Sequence, residues 1–175
     1  VKKFFIVLLL ATFSASAAYA QVKLGYINSD QILLEFEESL DAMSKLEAEN
    51  KRLQEEYQKM QTRMIELTQE FEKKKFVATE TWKTQKQTEI EKLGSELQNY
   101  QMEKFGPQGE IYRKESEYLG PVLEKINLIL KKVGEEGKYD YIMDGAKGVI
   151  VYADPKHDLT NTVLYELRKS GTGNK

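Results

Sequence analysis

The sequence predicts an α+β protein, with a small β-rich body and a long antiparallel helical hairpin of coiled-coil character inserted between its first and second strands. Three observations carry that reading. Of 175 residues, 31% are charged and 41% hydrophobic, with 11 Gly and 3 Pro, a balance that favours long solvated helices over a large packed core. Apolar residues recur at a 3-4 spacing between residues 36 and 71, the pattern of a helical seam. Stretches with strand character, alternating or rich in β-branched and aromatic residues, fall only near the two ends of the chain.

The elements follow in order. Lys2 and Lys3 precede an apolar run from Phe4 to Phe13 and then small residues up to Ala18-Tyr19-Ala20. This is the layout of a secretory signal, so residues 1–20 are expected to be cleaved on export. The run is too short to stay in a bilayer as a spanning helix. Losing its two lysines takes the formal net charge from −2 to −4. Beyond it, Val22, Leu24 and Tyr26 alternate with Lys23, Gly25 and Ile27, as in a strand that buries the first set. Asn28 and Ser29 are good caps for a short helix over 31–36.

Phe36, Met43, Asn50, Tyr57, Met64 and Phe71 then fall seven apart, with Leu46, Leu53, Met60 and Leu67 three residues after the preceding member. They occupy the a and d positions of a heptad, and Asn50 reads as a polar device for register. Glu47–Lys51, Glu55–Lys59 and Glu70–Lys74 add i,i+4 pairs. One helix over 39–76 would be about 57 Å long at ~1.5 Å per residue. The phase is lost over 77–82, where two threonines fall, and the helix is expected to reverse there. Ile90, Leu93, Leu97 and Tyr100 begin the return leg. Gly94 weakens that leg by about 1 kcal/mol, and Gly106-Pro107-Gln108-Gly109 should kink or break it. The alternative, a reversal at 106–109, would make the legs very unequal.

Gly120-Pro121 is expected to restart a helix, with Val122, Ile126, Ile129, Leu130 and Val133 as its apolar stripe and Gly134 or Gly137 as its end. Residues 139–144 and 149–153 read as two strands joined in a hairpin through 145–148. Asp154-Pro155 is a turn, and Asp158 caps a final helix over 159–168 that buries Leu159, Val163, Leu164 and Leu167. The organisation is therefore a body of 21–38 and 120–175 with an arm of 39–119. A body of this size is near the limit at which one core suffices, and short strands leave open edges. Association through the body is expected, with Val22, Leu24, Tyr26, Tyr139, Tyr141, Met143, Val149 and Val151 as the joining residues.

The same composition narrows function. There is no Cys, and His157 is the single His, which excludes thiol chemistry and multi-histidine metal sites. Asp154, His157 and Asp158 could be imagined as ligands, but a turn and a helix cap account for them with less. No phosphate-binding glycine loop, nucleophile elbow or H-E-x-x-H pattern occurs, so neither an enzyme nor a cofactor is expected. The acidic balance gives no general attraction to nucleic acid. Apolar residues off the seam, Ile65, Phe76, Val77, Trp82, Met102, Phe105 and Tyr112, are candidate contacts for a polypeptide partner, since Met and aromatic side chains adapt to varied surfaces. Lys73, Lys74 and Lys75, with Lys83 and Lys86 nearby, could touch anionic lipid transiently.

Lys23-Leu24-Gly25-Tyr26-Ile27-Asn28-Ser29 with the helix to Phe36, and Pro121 to Lys169 including Gly137-Lys138-Tyr139-Asp140-Tyr141-Ile142-Met143-Asp144, resemble the Skp (OmpH-like) family of periplasmic chaperones. The resemblance implies a homotrimer whose strands form a central barrel, with three helical arms around a cavity. It also implies an ATP-independent holdase for unfolded outer-membrane β-barrel proteins, with no cofactor. The mature net charge of −4 departs from the strongly basic balance of that family's best-known members. The alternative function is a structural or adaptor coiled-coil protein of the cell envelope.

Overall fold

The computed structural model describes residues 22–172; the predicted signal segment, 1–20, lies outside the described residues. The chain runs β1 (Leu24–Ile27), α1 (Ser29–Glu35), α2 (Glu37–Lys74), α3 (Glu80–Phe105), α4 (Glu110–Gly137), β2 (Tyr141–Asp144), a 3-10 turn at Pro155–His157 and α5 (Thr160–Thr172). It is mostly helical, with the two short strands at the ends of the long helical hairpin.

Local chemistry sets the boundaries. Asn28 Oδ1 accepts from the Gln31 N–H at 3.0 Å and starts α1. Phe36 leaves the helical conformation and buries its ring, separating α1 from α2. Thr79 Oγ1 accepts from the Trp82 N–H and starts α3. The reversal therefore falls at 75–79, at the loss of heptad phase and not at 106–109. The Gly-Pro-Gln-Gly stretch interrupts only the return leg. Gln108 sits there at φ 63°, and a Cβ on Gly109 would come within 2.8 Å of the Gly106 carbonyl oxygen, so that glycine is needed for the turn.

In the arm, α2 packs against α3 and, nearer the body, against α4. Leu53 and Leu67 are fully buried in the seam, and Met43, Leu46, Tyr57, Met60, Met64 and Phe71 are half-buried. Asn50 departs from expectation, because it is exposed. The covered line passes through Ala42, Leu46, Glu49 and Leu53. At this turn the covered place is taken by Glu49, whose carboxylate pairs with Arg52 at 2.6 Å.

Gly120-Pro121 is a second correction, since α4 runs unbroken from Glu110 to Gly137 with Pro121 inside it. A proline inside a helix forgoes one main-chain bond and crowds the preceding residue, including its Cβ, and Gly120 has no Cβ to crowd. Burial of Val122, Ile126, Ile129 and Val133 along one face then holds the helix together. The body's core joins these residues to Ile27, Ile32, Phe36, Leu159, Val163, Leu164 and Leu167.

The strands bring the remaining corrections. β1 and β2 pair in parallel, with Leu24 opposite Tyr141 and Tyr26 opposite Met143. The core-facing residues are Gly25 and Ile27, with Ile142 packed against the core. Val22 and Leu24 are exposed and Tyr26 is half-exposed, so the alternating set faces away from the core. Side chains on a strand change face at each residue, and β1 uses the register opposite to the expected one. Residues 149–153 form no strand, so Val149 and Val151 are not strand residues within the chain. The Asp144 carboxylate accepts from Ser29 Oγ at 2.6 Å and from the Ala146 N–H at 3.0 Å, which draws the chain towards α1. The second edge of β1 is occupied by the segment entering α5, with the Leu159 N–H donating to the Tyr26 carbonyl at 2.8 Å.

Candidate client-binding arm and assembly face

The first candidate surface is the open face of the two-stranded sheet. Directly opposed residues in paired strands share a face, so Leu24, Tyr26, Tyr141 and Met143 form one apolar patch. Tyr141 is 64% exposed, Leu24 47% and Met143 40%. Tyr139, by contrast, is half-buried and packs against the body's core, with the Lys23 ammonium 4.1 Å from its ring centroid. Val22 precedes the sheet, and Val149 and Val151 lie on the exposed segment after β2. A groove of about 790 Å³ opens between α1, α4 and β2, lined by Ile32, Leu33, Ile126, Leu130 and Ile142.

Three carboxylates and a phenol set the polarity around this sheet. Burial opposes the ionised form of Asp144, but the hydrogen bonds from Ser29 and the Ala146 N–H carry its pKa below the ordinary value. Tyr26 is pushed up by desolvation and by the nearby charges of Asp158 and Asp154. Asp158 accepts from the Thr160 N–H at 2.8 Å, and Asp154 from the Lys156 N–H at 3.1 Å. These are turn and cap roles. Among the described residues, no three His, Asp or Glu side chains are grouped as metal ligands would be.

The second candidate surface is the arm. Ile65, Met102 and Tyr112 are well exposed, and Phe76 and Val77 stand at the tip at 85% and 87% exposure. Trp82 and Phe105 are differently placed. Trp82 stacks on Phe71 with ring centroids 6.1 Å apart. Phe105 packs edge-on to Tyr57 at 6.4 Å and is tilted against Tyr100 at the same distance. Both rings belong largely to the arm's own packing.

Lysines near the tip are matched by carboxylates of the same arm. Lys74 bonds Glu70 at 2.7 Å, Lys75 bonds Glu72 at 2.6 Å and Lys83 bonds Glu80 at 2.7 Å. Lys86 reaches both Glu89 and Glu70, at 2.9 and 3.3 Å. The hydrogen bonds from Lys74 and Lys86 hold Glu70 below the usual carboxylate range. Among the described residues, no helix is long and apolar enough to cross a membrane.

Sequence reasoning missed the polar cluster where α3 passes into α4. Arg52 pairs with Glu49 at 2.6 Å, Glu56 at 2.7 Å and Glu110 at 3.2 Å. Lys104 also pairs with Glu110. The Tyr100 hydroxyl donates to Glu56 at 2.8 Å and lies 3.1 Å from the Leu53 carbonyl. Burial, the bond to Glu56 and that carboxylate's charge push the Tyr100 phenol up to about 12. The spacing of Arg52 from Glu49 and Glu56 was visible in the sequence. The contacts to Glu110, 58 positions away, were not.

Known proteins match this arrangement along nearly the whole chain. The family model described as "Outer membrane protein (OmpH-like)" matches residues 23–167. A protein of Yersinia enterocolitica named "Chaperone protein Skp" is 26% identical over 160 residues, covering 89% of this chain and 92% of its own. A protein of the same name from Vibrio cholerae is 26% identical over 167 residues, covering 93% and 94%. The fold is similar to the crystal structure of an OmpH-like protein of Caulobacter crescentus CB15, with a TM-score of 0.69, 15% identity and 90% of both chains covered. With strands at both ends, an inserted helical hairpin and a match from residue 23 to residue 167, the chain belongs to the Skp (OmpH-like) family.

Proposed function

We propose that this protein is an ATP-independent holdase of the periplasm, which keeps unfolded outer-membrane β-barrel proteins from aggregating between helical arms raised on a trimeric body. The observation that carries the reading is the division of labour in the arm. Its seam is filled by its own Leu53 and Leu67, while Ile65, Phe76, Val77, Met102 and Tyr112 remain exposed. An adaptor that paired its heptads with a partner would need that seam open. The names of the relatives from Yersinia and Vibrio support a chaperone role.

Trimer formation is proposed to use the open face of the sheet, with the segment carrying Val149 and Val151 adding to its edge. An isolated two-stranded sheet is marginal in water, and covering Leu24, Tyr141 and Met143 removes their apolar area from solvent. Client capture is proposed to rest on apolar area. Each contact contributes about 1–3 kcal/mol at full burial, and simultaneous engagement by several arms raises the total through effective concentration. Lys73, Lys74 and Lys75 are proposed to meet anionic lipid only transiently, because Lys74 and Lys75 already have carboxylate partners.

The test is dilution of a urea-denatured outer-membrane β-barrel protein into buffer with and without the purified chain, followed by light scattering. Scattering should be suppressed without nucleotide. Ile65→Ser with Met102→Ser should weaken capture and leave the helical signal and oligomeric mass unchanged. Phe105 is left intact because its ring packs on Tyr57 and Tyr100. Unchanged aggregation in the presence of the wild-type chain would overturn the holdase reading. A steep loss of affinity on adding salt, with the double variant unaffected, would transfer the binding role to charge.

A further inference from the structure

We propose that the elbow between α3 and α4 is an ionic latch centred on Glu110, which braces the arm where one of its two legs is interrupted and so limits the swing of the distal half. The arm's two legs are not alike. α2 runs for 38 residues without a break, whereas the return leg is divided at Gly106–Gly109. Within that gap the Gly109 N–H donates to the Gly106 carbonyl at 2.8 Å, a bond that spans only three residues. Two packed helices resist bending better than one, so the cross-section crossed only by α2 is the weak point of the strut.

The polar cluster lies at that cross-section. Glu110 is the first residue of α4. One of its oxygens accepts from Arg52 of α2 at 3.2 Å, and the other pairs with Lys104 of α3. A single carboxylate therefore ties all three helices together. Arg52 is itself held by Glu49 and Glu56, Glu56 accepts from Tyr100, and the rings of Tyr57, Tyr100 and Phe105 gather beside them.

An isolated exposed ion pair contributes little to rigidity, but linked and shielded pairs contribute more. The side chains of Glu110 and Lys104 are 19% and 28% exposed, against 77% and 51% for the Lys92–Glu96 pair further along α3. A latch made of charge remains open to screening, since the Debye length falls from about 30 Å at 0.01 M salt to about 3 Å at 1 M. Braced arms hold one spacing, whereas released arms admit a wider range of cargo sizes. That consequence rests on the holdase reading, but the latch itself is within one chain and is tested without a client.

The chain has no native Cys, so Lys45→Cys on α2 and Gln87→Cys on α3, both exposed, give one pair of spin labels spanning the elbow. Labelled chains are diluted with unlabelled ones so that only distances within a chain are read. Pulsed dipolar spectroscopy should give a narrow distribution at low salt that widens about twofold near 1 M. Glu110→Gln should be wide at both salt levels, and Lys92→Gln should match the wild type. An unchanged width for Glu110→Gln, or equal widening for Lys92→Gln, overturns the latch. If Glu110→Gln loses helical circular dichroism, the salt series on the otherwise wild-type pair decides alone, and a width independent of salt refutes the proposal.

Discussion

The body and the arm bury apolar side chains in different geometries. In the body, side chains from β1, α1, α4 and α5 converge on one cluster, where Ile32, Val163, Leu164 and Leu167 are at most 1% exposed. In the arm, burial is drawn out along a line, and complete only at Leu53 and Leu67. A convergent core shares the loss of any one side chain among many neighbours and fails as a unit. A linear seam fails where it is cut. The same burial per residue therefore stabilises a whole fold in one region and only a local stretch in the other.

The comparison can be tested from the largest effect to the smallest. Ile32→Ala should remove about 2–5 kcal/mol of global stability, read as a lowered urea midpoint for body and arm together. Leu67→Ala should cost about 2 kcal/mol, at the lower end of such changes because a two-helix seam can close around the gap. Its signature is local, with hydrogen exchange accelerating in the distal parts of α2 and α3 while amides of α5 keep their protection. Equal acceleration in α5 would mean that arm and body are one cooperative unit.

Tyr100→Phe should cost about 1 kcal/mol, the net worth of one hydrogen bond. Because the phenol is raised to about 12 in the fold, from about 10 in an unfolded chain, its contribution is complete below pH ~10. It is lost as pH rises through about 12. Alkaline titration followed by circular dichroism should show that step in the wild type and not in Tyr100→Phe. Gly94→Ala should change least, gaining up to about 1 kcal/mol of helix propensity. The new methyl group would meet only the Met64 Cε, at 3.3 Å, which is the end of a flexible side chain. A destabilised arm would show that the seam at Gly94 is packed too tightly for that methyl group to be accommodated.

The difference between regions also explains what could be read from sequence. Heptad spacing apart from Asn50, the phase loss at 77–82 and the cap at Asn28 are local signals, and the structure agrees with them. The buried stripe of α4 was equally legible, because helical periodicity and burial coincide there. The face of β1 was not, since alternation shows that two faces differ without saying which one meets the core. For Leu24 and Tyr26, the apolar face is the one left open. The missing hairpin has a similar cause, because the carboxylate of Asp144 is claimed by Ser29, 115 positions earlier. Of the candidate contacts, exposure at Ile65 and Met102 agreed with their position off the seam. The ring partners of Trp82 and Phe105 depended on how two legs align, which spacing along one leg does not state.

The pairing of Leu24 with Tyr141 fixes the order in which the molecule is completed. That contact closes a loop of well over a hundred residues, and long closures are slow unless the intervening chain has already shortened itself. α2 and α3 can do this unaided, since their reversal spans only 75–79 and brings successive stretches together. The Lys23 N–H then finds the Asp140 carboxylate at 2.6 Å. A chain emerging from its N-terminus thus finishes its arm first and its base last. One halted near residue 130 would carry a complete hairpin but neither β2 nor α5, so the two-stranded sheet stays unfinished until Asp144 has been delivered.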